Sequence, residues 1–199
     1  MSIIVGGSSD LGIRSITQTD DSLNITATNA VSYNQAQYNT LLGRRFYVEI
    51  HEEVSGSTTN YYRFQMPSES EGYYVALQNR QFKSSEEAAS LEILWYTSDY
   101  TVGDEITSFN ENGLSTQTAT MVVNEISEPT DLGTVRETDM TGSGGNPSSS
   151  SGGISQDLGY RVYAADSDFV LAITNEDNAS QTIHVSYTWF ELPTELFNT

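Results

Sequence analysis

Cysteine is missing from the 199 residues, which excludes disulfides, thiolate nucleophiles and thiolate-bound metals. Positive charge is nearly missing: 8 Lys+Arg stand against 27 Asp+Glu, for a formal net charge of -19. A surface this negative repels phosphates, so nucleic acid is not an expected partner. Long apolar runs are missing as well. No stretch approaches the ~18 residues of a bilayer-spanning helix, and no membrane span is expected. The opening stretch Met1–Gly7 has no basic n-region and too short an apolar run for a secretory signal, which points to synthesis in the cytoplasm. Histidine is scarce, with His51 and His184 alone. Neither stands in a nucleophile context, and no Gly-x-Ser-x-Gly turn occurs between a strand and a helix.

The form of the charge imbalance is informative. Lys83 is the sole lysine; the other basic residues are arginines. Carboxylates hold water and cations, whereas lysine stems favour association once salt screens repulsion. At molar salt the Debye length is only ~3 Å, so acids can crowd a surface that would repel itself at low salt. The composition fits a protein made for a salty solvent.

What remains is strand and turn material. There are 12 Tyr and 7 Phe, with much Ser, Thr, Asn and Gly. Apolar residues alternate with polar ones in Ser22–Thr28, Arg45–His51, Asn60–Met66, Tyr73–Leu77 and Leu91–Trp95. Thr118–Ile126 is rich in β-branched residues. Asp168–Thr174 and Gln181–Phe190 flank the polar loop Asn175–Ser180, which is a hairpin signal. Asn34–Leu42 has room for a short helix. Ser84–Ser90 reads as another, capped by serine, with Glu86 and Glu87 near its positive end. The expected fold is all-β: one jelly-roll or Greek-key sandwich of about ten strands with one or two short helices. The Gly/Ser-rich stretch 141–155 is expected to be a long loop inside a single domain covering 1–199, since the residues after it are too few for a second sandwich.

Candidate sites are few. Tyr47, Tyr61, Tyr74 and Tyr96 fall opposite the apolar faces of their strands. Such tyrosines serve equally in a contact between subunits, in stacking on sugars, or as core beneath a further layer. Asn24 and Asn178 begin glycosylation sequons, Asn24-Ile-Thr26 and Asn178-Ala-Ser180. Glu49, His51 and Glu53 alternate on one strand face, and Glu49-Ile-His-Glu-Glu53 resembles the Glu-Ile-Asp-Ile-Glu strand of jelly-roll β-glucanases. That resemblance implies a glycosidase using Glu49 and Glu53. His51 replaces the central Asp, Glu52 replaces the second apolar residue, and Arg44-Arg45 stands where the family has tryptophan. A solvated acidic face accounts for the same residues. Asp20-Asp21, Asp166-Ser-Asp168 and Glu176-Asp177 lack the spacing of a dedicated calcium loop. No catalytic residue, metal site or cofactor is assigned.

The C-terminal Asp168–Asn175 and Ile183–Glu191 resemble the closing strands of small viral coat barrels: an apolar strand ending in Thr-Asn, a polar loop, then a strand ending aromatic-aromatic-Glu. With the lysine-poor acidity, the chain resembles single β-barrel capsid and virion-surface proteins of halophilic archaeal viruses. The resemblance covers about the last 25 residues and the overall composition. It implies a capsid-shell subunit, non-enzymatic, located in the virion, whose partners are copies of itself and other coat proteins. A turret, spike or decoration protein, or a module binding host glycans, is the alternative it leaves open.

Overall fold

A computed structural model describes residues 4–5, 13–14, 35–85, 88–127, 129–141 and 154–196. Strands β1 (Ile4–Val5) and β2 (Ile13–Arg14) pair with each other, and helix α1 is Gln35–Leu41. The remaining strands are β3 (Arg45–Val54), β4 (Thr59–Gln65), β5 (Tyr73–Ser84), β6 (Ala89–Trp95), β7 (Val102–Ile106), β8 (Phe109–Asn110), β9 (Val122–Ile126), β10 (Thr134–Thr141), β11 (Ile154–Tyr163), β12 (Asp168–Asn175) and β13 (Gln181–Pro193). They form a five-stranded sheet, β11-β5-β13-β3-β8, and a six-stranded sheet, β10-β6-β12-β4-β9-β7. The first four long strands meet the last four in reverse order and antiparallel: β3 with β13, β4 with β12, β5 with β11, β6 with β10. This is a long hairpin rolled into a sandwich, the jelly roll expected from the alternation. Strands β7, β8 and β9 come from the β6–β10 connection and extend one side of each sheet.

Period-two alternation fills the interior. On β13, Ile183, Val185, Tyr187 and Trp189 are buried, and the residues between them face outward. Val185 lies opposite Ile50, Tyr187 opposite Val48 and Trp189 opposite Phe46. Facing strands of the other sheet supply Phe64 and Phe169, stacked at 4.7 Å between ring centroids, and Tyr187 meets Phe64 at 4.9 Å. One continuous cluster joins both sheets. Each fully buried side chain of this kind contributes about 1.5–3 kcal/mol.

Polar ties join the sheets at both rims. On one rim Arg80 (1 % exposed) bonds Asp139 and Gln156, with Glu137 at 3.6 Å, and Arg161 also pairs with Glu137. The outermost strands β10 and β11 are thereby closed by ion pairs. On the other rim Glu52 of β3 accepts hydrogen bonds from Tyr62 OH and, at 2.9 Å, from Asn60 Nδ2, both on β4.

Some expectations are corrected. The helix expected over Ser84–Ser90 does not form. Ser84 ends β5 and Ala89 begins β6, with Glu86 and Glu87 outside the described residues. Ala89 is wholly buried and pairs with both Thr141 and Asn175. Pairing on both sides overrides a weak local helix preference. The strand expected over Thr118–Ile126 begins only at Val122, because the backbone N–H groups of Thr120 and Met121 bond the Glu191 carboxylate. The expected strand at 22–28 lies outside the described residues. So does most of the 141–155 loop, which joins Thr141 at the end of β10 to Ile154 at the start of β11.

Candidate functional site

A cleft of about 230 Å³ opens where α1 gives way to β3. Gly43 makes that junction with φ +68, and a Cβ there would stand 2.2 Å from Ser115 Oγ. Glycine is needed both for the turn and for the close approach of the loop after β8. That loop is tied down. Asn110 Nδ2 donates to Gly43 O (2.8 Å) and Gln117 O (3.2 Å), and Asn112 Nδ2 donates to Leu41 O (3.1 Å). Arg45 pairs with Glu111 at 2.6 Å. The loop's far end is held by Glu191, a carboxylate only 3 % exposed. It accepts from Thr120 N (2.8 Å), Thr120 Oγ1 (2.8 Å), Met121 N (3.0 Å) and Trp189 Nε1 (3.2 Å). Three N–H groups and a hydroxyl thus meet the charge that burial would otherwise penalise.

The cleft's walls are polar. Arg44, Phe46, Tyr73 and Glu191 line the cleft from strands β3, β5 and β13 and their approaches, and Thr116, Gln117, Thr118 and Thr120 line it from the loop between β8 and β9. Among the described residues the side chains of Arg44, Tyr73, Thr116, Gln117 and Thr118 make no bond to another protein group. Arg44 is exceptional. Arg45, Arg63, Arg80 and Arg161 each pair with a carboxylate, and Arg136 lies over the Trp95 ring. Among the described residues Arg44 has no ion-pair partner, in a chain of net charge -19, and the carboxylate lining its cleft, Glu191, is committed elsewhere. The arrangement suits holding a small polar anion. It presents no histidine and no unengaged carboxylate to act as acid or base.

A second cleft, of about 280 Å³, lies beside the Glu52 tie and is lined by Tyr61, Thr59 and Glu125. Burial, reinforced by the Glu52 carboxylate bonded to it and by Asp104, pushes the Glu125 pKa up. Burial and Glu52 likewise push the Tyr62 phenol up.

The sequence-derived candidates disperse. Tyr47 and Tyr74 belong to the five-stranded sheet, with Tyr47 stacked on Phe109 at 5.4 Å. Tyr61 lies on the outer face of the six-stranded sheet, packed over Leu94, Ile126, Val170 and Ala172. Tyr96 is 73 % exposed just past β6, with φ +63. No common face gathers all four. Asn178 is exposed in the β12–β13 loop, and Asn24 lies outside the described residues. Glu49, His51 and Glu53 alternate on the exposed outer face as expected. His51 meets His184 edge-on at 6.0 Å. Burial lowers the His184 pKa, aided by His51 and Lys83 and opposed by Glu49, which keeps its imidazole neutral at pH 7. Asp168 pairs with Arg63 at 2.8 Å, Asp166 accepts from Glu69 N at 3.2 Å, and Glu176 accepts from Ser90. Asp20-Asp21 lies outside the described residues, among which no group of three acidic or histidine side chains is placed to hold a metal ion. Also among the described residues, no helix is long and apolar enough to cross a membrane.

Sequence reasoning missed Glu52–Glu125 and the Arg44 cleft. The one available signal for the cleft was Arg44-Arg45, the single adjacent basic pair among eight basic residues. No protein-family model matches this chain, and no curated protein matches it in sequence.

Proposed function

We propose that this chain is a structural subunit of a virion, a single jelly roll that works by packing against copies of itself and other coat proteins. The observation that carries this is an apolar strip along β10, which among the described residues has no partner strand on its outer side. Tyr96, Leu132, Val135 and Met140 are all exposed, at 73, 46, 48 and 62 %. Val135 and Met140 stand opposite Leu94 and Ser90 along β10, the outermost strand of its sheet. Tyr96 and Leu132 adjoin the start of that strand, where Thr97 Oγ1 bonds Leu132 O at 3.3 Å. Isolated subunits usually blunt such an edge with charge. Here the strand's own acids, Glu137 and Asp139, turn inward to Arg80 and Arg161. Val135, Thr138 and Met140 are left for a neighbour, and the strand's one exposed charge, Arg136, lies over the Trp95 ring. Acids elsewhere keep free subunits soluble, and salt or bound cations screen them on assembly. No reaction is assigned, and Tyr96 is the sequence-derived tyrosine that belongs to this surface.

Light scattering on the purified chain from molar to ~0.1 M salt tests this. Assembly at high salt, lost on dilution and lost at all salts in Val135→Glu/Met140→Glu, is the expected result. A single-chain mass throughout contradicts it.

A further inference from the structure

We infer that the Arg44 cleft binds one residue of a carboxylated sugar. The guanidinium is a planar fork that matches a carboxylate with two parallel hydrogen bonds. One such fork, in a chain of net charge -19, suits a single negative charge and not a phosphate chain. The loop residues lining the same cleft offer what a sugar ring needs. Thr116 and Thr118 carry hydroxyls and Gln117 an amide, which donate to or accept from ring hydroxyls. Half-buried Tyr73 adds aromatic surface for the apolar side of the ring. The volume, about 230 Å³, is below the ~300 Å³ floor of drug-sized pockets and holds about eight waters. That is room for one ring and not for an oligosaccharide, whose remainder would lie in solvent along the open side.

The cleft is set up before any ligand arrives. Gly43, Asn110, Asn112 and Glu191 anchor both ends of the 110–120 loop by the contacts given above. Glu191 does not repel an incoming carboxylate strongly, because four donors already surround it. Among the described residues the side chains of Arg44, Tyr73, Thr116, Gln117 and Thr118 bond no other protein group, and a polyol can supply the bonds that solvent otherwise makes. This site is separate from the tyrosines singled out by sequence and from the β10 edge, so sugar binding and assembly are independently testable.

The test is a titration of the full chain, unassembled and ¹⁵N-labelled, with methyl β-D-glucuronide, methyl β-D-glucoside and acetate as probes. The glucuronide should saturate shifts at the Gln117 and Thr118 amides and the Arg44 Nε–H. The glucoside and acetate should each bind at least about tenfold more weakly, the worth of one charge-assisted pair or of the ring contacts. Arg44→Gln should reduce the glucuronide to the glucoside's level at unchanged Tm. Exposed Thr118→Val should weaken it severalfold, and it carries the test if Arg44→Gln does not fold. Absence of saturable binding overturns the inference. So does acetate binding equal to the glucuronide, which means an adventitious anion only. So does glucoside binding equal to the glucuronide, full affinity in both variants, or shifts confined to another part of the sandwich.

Discussion

Replacing Glu191 should loosen the sandwich and its cleft together. Its carboxylate is nearly inaccessible, and its four donors come from two segments: Thr120 and Met121 of the loop before β9, some 70 residues away in sequence, and Trp189 of its own strand. In Glu191→Gln the volume is kept and one oxygen remains to accept the N–H groups. Each charge-assisted bond then becomes a neutral one, a loss of about 1 kcal/mol per bond. Three N–H bonds set a gross loss of about 3 kcal/mol, and the lighter desolvation of a neutral amide returns part of it, so about 2 kcal/mol is expected. In Glu191→Ala the Trp189 indole N–H and the Met121 amide have no acceptor, and both residues are buried. At about 1–3 kcal/mol per orphaned donor, with lost packing added, about 4 kcal/mol is expected. Urea unfolding followed by tryptophan fluorescence gives both values, and amide exchange at Thr120 and Met121 reports the loop directly. Losses within about 0.5 kcal/mol of zero, the level of an indifferent surface change, would refute the account of Glu191. So would unaltered protection at Met121.

Arg80→Met should cost about 3 kcal/mol in urea unfolding, the low end for a broken buried pair, because Asp139 and Glu137 keep 20 % and 24 % side-chain exposure and can rehydrate; a loss below about 1 kcal/mol contradicts the inter-sheet tie. Gly133→Ala should cost at least about 2 kcal/mol and lower Tm, since Gly133 has φ +63 and a Cβ there would lie 2.1 Å from Trp95 O; a neutral outcome refutes that approach. The raised Glu125 pKa means the folded chain holds this proton more tightly than the unfolded one, so its contribution is complete below the unfolded value and fades as pH rises through the folded one. Urea midpoints from about pH 4 to 8 should therefore fall more steeply in the wild type than in Glu125→Gln, whose amide does not titrate; equal slopes contradict the raised pKa.

The strands were legible in the sequence because a period of two survives wherever one face meets the core, as in Ile183, Val185, Tyr187 and Trp189. The jelly-roll choice rested on strand number and uneven connections, while the reversed pairing of β3–β6 with β10–β13 emerges only from the coordinates. Local signals failed where distant groups decided the outcome. Ser84–Ser90 has a helix-like composition, but Ala89 is claimed by Thr141 and Asn175. Thr118–Met121 has strand-like residues, but Glu191 takes its N–H groups. Among the acids of β3, alternation drew attention to Glu49 and Glu53 on the solvated face. Glu52, one position away, turns inward to Tyr62. The Arg44 cleft draws on positions 44, 73, 116–118 and 191, which only the rolled topology brings together.

We propose that this jelly roll is salt-adapted and meets its neighbours through the β10 edge. Electron micrographs of the purified chain at molar salt test it most directly. Closed shells or regular lattices, absent from the Val135→Glu/Met140→Glu variant, are the predicted images. Uniform single particles of one chain, identical in both proteins, would contradict it.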